Sequence, residues 1–216
     1  MGSFKIGRMV LGVCQTNCYY VYKEGVTDAE GLCPALVVDP ADKGEQIFSS
    51  LKQKGVAVRG ILLTHGHVDH ILGVKALKEL SQAKVYACET ESNLLQDMRL
   101  NLSAMFQLPC KVTADVLLKD GEVCTVDGMI FQMIATPGHT EGSCCYYFEE
   151  GGLLISGDTL FEGSVGRTDF PTGSMGVLVR SIKQKLFVLP DKTIVYPGHG
   201  GSTTIGWEKE DNPFVV

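Results

Sequence analysis

Three histidines and an aspartate fall inside the seven residues THGHVDH, Thr64 to His70. His65 and His67 flank Gly66, and Asp69 and His70 follow after Val68. One tight turn can bring two imidazoles, a carboxylate and a third imidazole together. That mixture suits a borderline divalent cation, zinc first, with iron or manganese as alternatives. A lone histidine is ordinarily a satisfied core or surface residue. Here that reading would have to account for four ligand-type residues directly after an apolar run. The remaining candidates follow the same rule: His139 in TPGHTEGS, Asp158 in SGDTLF and His199 in YPGHGGS each come just after a strand-like segment. Glycine lies beside each, where backbone can approach closely and side chains can enter one cleft. All five histidines of the chain occupy such positions.

The elements that must position these residues can be read from periodicity. Strands are expected at residues 5–10, 17–23, 35–39, 58–64, 84–87, 115–118, 122–126, 129–135, 143–149, 152–156 and 193–196. Helices are expected over 42–54, 69–80, from about 90, over 174–188 and over 202–209. The second of these would begin with Asp69 and His70. Asp127-Gly128 is a two-residue hairpin signal. Two halves, each running from strands into helices with no Pro/Gly/Ser linker, imply sheets covered by helices in one domain spanning residues 1–216.

The bulk properties narrow the function. The 216 residues are 44% hydrophobic and 20% charged, as in an ordinary globular core, and the formal charge is −6. That charge, without a block of like charges, speaks against a general nucleic-acid surface. No stretch approaches the roughly 18 apolar residues of a membrane span, and the N-terminus lacks a signal-peptide pattern. The expectation is a cytoplasmic protein. None of the eight cysteines forms a CxxC pair, so they read as small buried hydrophobes. Adjacent Cys144 and Cys145 would face opposite sides of a sheet.

The ordered series HxHxDH, PGHT, GDTLF and PGHG resembles the signature of the metallo-β-lactamase superfamily, and the likeness extends from NCYYVY to NPF. It implies an α/β fold, the αββα sandwich of two packed mixed sheets with helices on the outer faces. It further implies that His65, His67 and His139 hold one divalent metal ion, that Asp69, His70 and His199 hold a second, and that Asp158 bridges them. Residues 160–171, LFEGSVGRTDFP, and the tail STTIGWEKEDNPF resemble short bacterial hydroxyacylglutathione hydrolase (glyoxalase II)-like proteins. About seventeen residues follow His199. The resemblance therefore implies a form without the added helical domain that holds glutathione in full-length glyoxalase II enzymes.

The expected activity is hydrolysis of a small-molecule thioester by a metal-bound hydroxide. Asp69 and Asp158 would be the catalytic carboxylates, and Arg167 a candidate substrate contact. No histidine is left over as a general acid, and a thiolate with a pKa of about 8.5 leaves without one. An amide would need its amine protonated. For Arg167 the competing expectation is an ion pair with Asp169 that braces the loop. GRTDF also resembles persulfide dioxygenases of the same superfamily, which use a single iron, so a mononuclear-iron dioxygenase is the second reading. A non-catalytic metal-binding module is a third, disfavoured because every ligand position is filled.

Overall fold

The computed structural model describes residues 3–215, so Met1, Gly2 and Val216 of the expected domain lie outside the described residues. The chain begins with β1 (Phe4–Leu11), β2 (Thr16–Lys23) and β3 (Cys33–Val38), paired antiparallel in sequence. Helix α1 (Gly44–Gln53) then carries the chain to β4 (Val56–Leu62), parallel to β3. Helices α2 (Val68–Ile71) and α3 (Val74–Ser81) lead on to β5 (Lys84–Cys88). A 3-10 turn (Glu89–Glu91), α4 (Ser92–Gln96) and a long irregular segment lead to β6 (Val116–Leu118). These strands form one six-stranded sheet in sequence order.

The second half adds β7 (Val123–Val126), β8 (Met129–Ala135), β9 (Cys144–Phe148) and β10 (Leu153–Gly157). A small hairpin follows, β11 (Leu160–Phe161) with β12 (Ser164–Val165). Helix α5 (Met175–Ser181) runs into a π-helical turn at Ile182–Leu186, and β13 (Ile194–Pro197), β14 (Thr203–Thr204) and α6 (Ile205–Asp211) complete the chain. The lateral order of the second six-stranded sheet is β14-β13-β10-β9-β8-β7, antiparallel except for the β10/β13 pair.

Side-chain alternation explains how the sheets stack. On β3, Ala35 and Val37 pack outward beneath Ile47 and Leu51 of α1 and Leu77 of α3. Leu36 and Val38 point the other way, towards Phe131, Tyr146 and Phe148 of the second sheet. A strand covered on both faces reads as a continuous apolar run, which is why ALVV shows no polar alternation. On β9, Cys144, Tyr146 and Phe148 enter the layer between the sheets. Cys145 and Tyr147 enter the outer layer under Leu178, Ile182 and Leu186. The adjacent cysteines thus face opposite sides, as the sequence predicts. Each large apolar side chain buried in these layers contributes roughly 1.5–3 kcal/mol. The result is the expected helix–sheet–sheet–helix sandwich.

Three local expectations needed correction. The helix expected over 69–80 is broken, because the Gly73 N–H donates to the Pro40 carbonyl (2.8 Å). The helix expected over 174–188 changes to π-helical pitch at Ile182. The helix expected at 202–209 starts later: Thr203–Thr204 pair as β14, and Thr204 caps α6 by accepting from the Trp207 N–H. The strand pair β11/β12 is too short for periodicity to reveal. The hairpin at Asp127-Gly128 is present, with φ of 45° and 77°, values that suit the twist of paired strands. All eight cysteines are unpaired, four of them buried and four partly exposed, so the buried-hydrophobe reading fits half of them. Among the described residues no helix is long and apolar enough to cross a membrane.

Candidate metal centre

The ligand-type residues sit on loops leaving the C-terminal ends of β4, β8, β10 and β13. Because the parallel strands end on one side, their loops open towards one another. His65, His67, Asp69 and His70 follow β4 and enter α2. His139 follows β8, Asp158 follows β10 directly, and His199 follows β13. All seven residues expected from the sequence meet at this end of the sandwich. Their ligand atoms form three groups, each within 4.8 Å: His65, His67 and His139; His65, His70 and Asp158; Asp69, His70 and His199.

In the first group His67 Nδ1 lies 2.9 Å from His139 Nε2, and His65 Nε2 lies 3.3 Å from the same atom. Nitrogens bound tetrahedrally at about 2.05 Å would stand about 3.3 Å apart, so the second contact already fits and the first must relax by a few tenths of an ångström. Imidazole nitrogens brought this close, almost wholly removed from water, are poorly satisfied by one another and well satisfied by a cation. Burial favours the neutral ring. It holds His65 well below the ordinary histidine range, lowers His67 to about 3, and lowers His139. All three therefore offer lone pairs at neutral pH. The His139 ring is oriented by Nδ1 donating to the Arg167 carbonyl (2.7 Å), which leaves Nε2 free.

The second group is electrostatically different. His70 Nε2 faces Asp158 Oδ1 at 3.4 Å, and both atoms are buried without a hydrogen-bond partner. His199 Nε2 lies 3.5 Å from Asp69 Oδ2 and 3.5 Å from Asp158 Oδ2. Burial opposes charge on His70, but Asp158, Asp69 and Asp39 outweigh it and raise the ring well above its ordinary value. Burial likewise opposes charge on His199, and hydrogen bonding to Asp158 and Asp69 raises it to about 9. Against the same burial, the positive His70 and the bond from His199 bring Asp69 down to about 2, and His70 holds Asp158 well below its usual range. The carboxylates around His70 and His199 thus favour positive charge at this place. The donor set, the orphaned facing atoms and the spacing fit divalent metal.

Asp158 Oδ2 also lies 3.7 Å from His139 Nε2, so this carboxylate reaches both groups. Close packing makes that possible. A Cβ on Gly198 would come within 2.3 Å of Asp158 Oδ1 and 2.7 Å of the His70 ring, so only glycine lets the β13 loop pass. Asn17 and Tyr19 tie that loop down, their side chains donating to the Pro197 carbonyl at 2.9 Å each.

Two supporting carboxylates were missed from sequence. Asp39 ends the run ALVVD and so obeys the strand-end rule that found Asp158. It accepts from the Thr64 N–H (2.8 Å) and hydroxyl (2.6 Å), and from His70 Nδ1 (2.9 Å), which fixes which nitrogen His70 presents. Glu91, buried between two ligand loops, carries no motif. Arg167 lines the cavity of about 380 Å³ that opens over the centre, with His67, Asp69, Phe161, Phe170 and His199. Its guanidinium pairs bidentately with Asp169 (2.7 Å for both bonds) and lies 3.9 Å over the Phe170 ring. That pair is exposed. A larger depression of about 760 Å³ lies at the opposite end of the first sheet, around Arg59 between Asp28 and Asp127, far from these ligands.

A family model described as the metallo-beta-lactamase superfamily matches residues 11–199. The probable metallo-hydrolase YqgX of Bacillus subtilis is 36% identical over 211 residues, 96% of each chain. The hydroxyacylglutathione hydrolase GloC of Haemophilus influenzae is 34% identical over 207 residues, 93% of each. Among solved structures, the B3 metallo-beta-lactamase BLEG-1 superposes with a TM-score of 0.90 at 37% identity, covering 98% of this chain and 100% of that one. TTHA1623 in a di-iron-bound form gives 0.82 at 34%, covering 96% and 99%. ETHE1 from Myxococcus xanthus gives 0.78 at 29%, covering 97% and 83%.

Proposed function

The chain belongs to the metallo-beta-lactamase superfamily, and within it we propose that this member is a metal-dependent thioester hydrolase of the glyoxalase II-like kind. The observation that carries the proposal is the meeting of five histidines and two aspartates at one end of the sandwich, three rings neutral and two tied to carboxylates. His65, His67 and His139 would hold one divalent ion, Asp69, His70 and His199 a second, with Asp158 between them; zinc fits the donors best, and iron or manganese also fit. Bound there, the metal supplies Lewis acidity, lowering the pKa of water and polarising a carbonyl oxygen.

The chain's own residues do the rest. Asp69 is held by the Thr16 hydroxyl (3.0 Å), so its carboxylate has a fixed direction from which to orient the attacking water. Asp39 keeps Nε2 of His70 turned towards Asp158. Phe161 and Phe170 line the cavity beside His199 and His67 and give it apolar walls. All five histidines belong to the ligand groups, which leaves none to protonate an amine. A thiolate departs without that help, so the chemistry favours thioesters over amides and β-lactams. The likeness to GloC supports the same substrate class. Eight unpaired cysteines suit a reducing compartment, and we place the chain in the cytoplasm acting on a small molecule, without nucleic acid or membrane as partner.

The GRTDF string and the likeness to ETHE1 support a second reading, an iron-dependent persulfide dioxygenase. One experiment separates the two: elemental analysis of metal-replete chain, run beside thioester hydrolysis and oxygen consumption. The expected result is close to two ions per chain and thiol release without oxygen uptake. One iron per chain, with oxygen consumed on a persulfide and no thioester turnover, would overturn the hydrolase proposal.

A further inference from the structure

Glu91 is 1% exposed, stands outside the ligand set, and ends the 3-10 turn that follows β5. Its Oε1 accepts from the Gly66 N–H (2.8 Å) and from the Thr140 hydroxyl (2.9 Å), and its Oε2 accepts from the Gly142 N–H (2.9 Å). Gly66 separates His65 from His67 on the loop after β4, in the first sheet. Thr140 and Gly142 follow His139 on the loop after β8, in the second sheet. One carboxylate therefore ties together two ligand loops that belong to different sheets. The fit is close: a Cβ on Gly142 would stand 2.4 Å from the Glu91 nitrogen and 2.5 Å from Oε2. The Ser143 hydroxyl lies 2.7 Å from the Thr140 hydroxyl, so a chain of hydrogen bonds runs from Ser143 through Thr140 to Glu91.

We propose that Glu91 is a positioning residue, which sets the spacing of His65 and His67 against His139 and thereby the affinity of the three-histidine group for its cation. The inference rests on the metal-centre reading above. A purely structural role fits poorly. Burial is costly for this carboxyl and, despite three donors, pushes it up to about 7. Where only stability is at stake, well-packed apolar side chains usually do as well or better than buried charge. What an apolar residue cannot do is fix three donors on two loops to within hydrogen-bond tolerance. The nitrogens those loops carry already stand 2.9 and 3.3 Å apart, so small loop displacements change whether they fit one ion.

Glu91→Gln tests this, because it keeps the shape and turns an amide NH₂ towards one of the N–H donors. Zinc affinity is measured by chelator competition in two backgrounds. His199→Ala leaves the three-histidine group complete, and His67→Ala leaves the Asp69–His70–His199 group complete. Glu91→Gln should weaken zinc about 10- to 100-fold in the first background, the range for residues that support ligands, and less than about threefold in the second. Unchanged affinity in the first background overturns the proposal. So does an equal loss in both backgrounds accompanied by a lower melting temperature, which would mark a structural role. If Glu91→Gln does not fold, Thr140→Val and Thr140→Ser decide: Val should weaken zinc in the first background and Ser should not, and equal affinities for the two overturn the proposal. Cation affinity is read without substrate. A parent chain that binds two ions but hydrolyses no thioester would therefore remove the functional reading and leave this test intact.

Discussion

The two ligand groups use the same imidazole chemistry, yet the fold holds their rings in opposite states. His65, His67 and His139 lie against one another, with burial as the dominant influence, and stay neutral. His70 is equally buried and His199 partly so, but Asp39, Asp69 and Asp158 face them and favour the protonated ring. The difference teaches that burial alone does not decide the charge of a histidine; the nearest carboxylates do. One group is ready to receive a cation, and the other must first release protons.

The largest expected effects come from cutting the contrast at its hinge. Asp158→Ala removes the carboxylate that reaches both groups. It should weaken both ions and lower kcat/KM by more than about 100-fold, beyond the usual range for supporting residues. His67→Ala should abolish hydrolysis and empty only the three-histidine group, while the metal-free protein melts close to the parent because the three apolar layers are untouched. Metal analysis, kinetics and thermal melts on the two variants check this. Two ions retained by Asp158→Ala, or unimpaired turnover by His67→Ala, would dissolve the assignment.

A smaller effect sharpens the contrast through pH. A cation at the Asp69–His70–His199 group must displace protons, since His199 is held at about 9 and His70 is raised. Affinity there should climb with pH, by about tenfold or more per unit through the neutral range. The three-histidine group has no such protons to lose, with His67 at about 3, so its affinity should stay flat through the neutral range. Chelator competition from pH 6 to 9 in the His67→Ala and His199→Ala backgrounds reads the two slopes. Parallel slopes would show that the carboxylates do not divide the groups.

The smallest effect concerns the rim. Arg167 supports His139 through its backbone carbonyl, which survives substitution, while its exposed guanidinium pairs with Asp169. Exposed pairs contribute little to stability. Arg167→Ala should therefore melt like the parent and lose a modest amount of activity, at most about fivefold on the scale of one exposed charge contact. That loss should be confined to thioesters that carry a carboxylate. An equal loss on every thioester, with a lower melting temperature, would assign Arg167 to bracing the loop instead.

The ligand loops were legible in the sequence because each joins a strand end to a glycine and a residue of ligand type, a local pattern. Asp39 obeys that pattern at the end of ALVVD, but its task depends on Thr64 and His70 arriving from the neighbouring strand β4, and that pairing is not written in either segment. Glu91 obeys no pattern at all: its partners lie 25, 49 and 51 residues away. The break in the helix expected over 69–80 has the same origin, since the Gly73 N–H is taken by Pro40 from a distant loop.

By itself, then, the sequence determined the ligand types, their places after strands, and the alternation that sends Cys144 and Cys145 to opposite faces. These depend on neighbours along the chain and on the two-residue period of a strand. Only the tertiary structure decided which loops from the two sheets meet, which rings carry protons, and which carboxylate holds the meeting together. Those outcomes depend on distances between residues remote in sequence and on removal from water, and both come into being when the sheets pack.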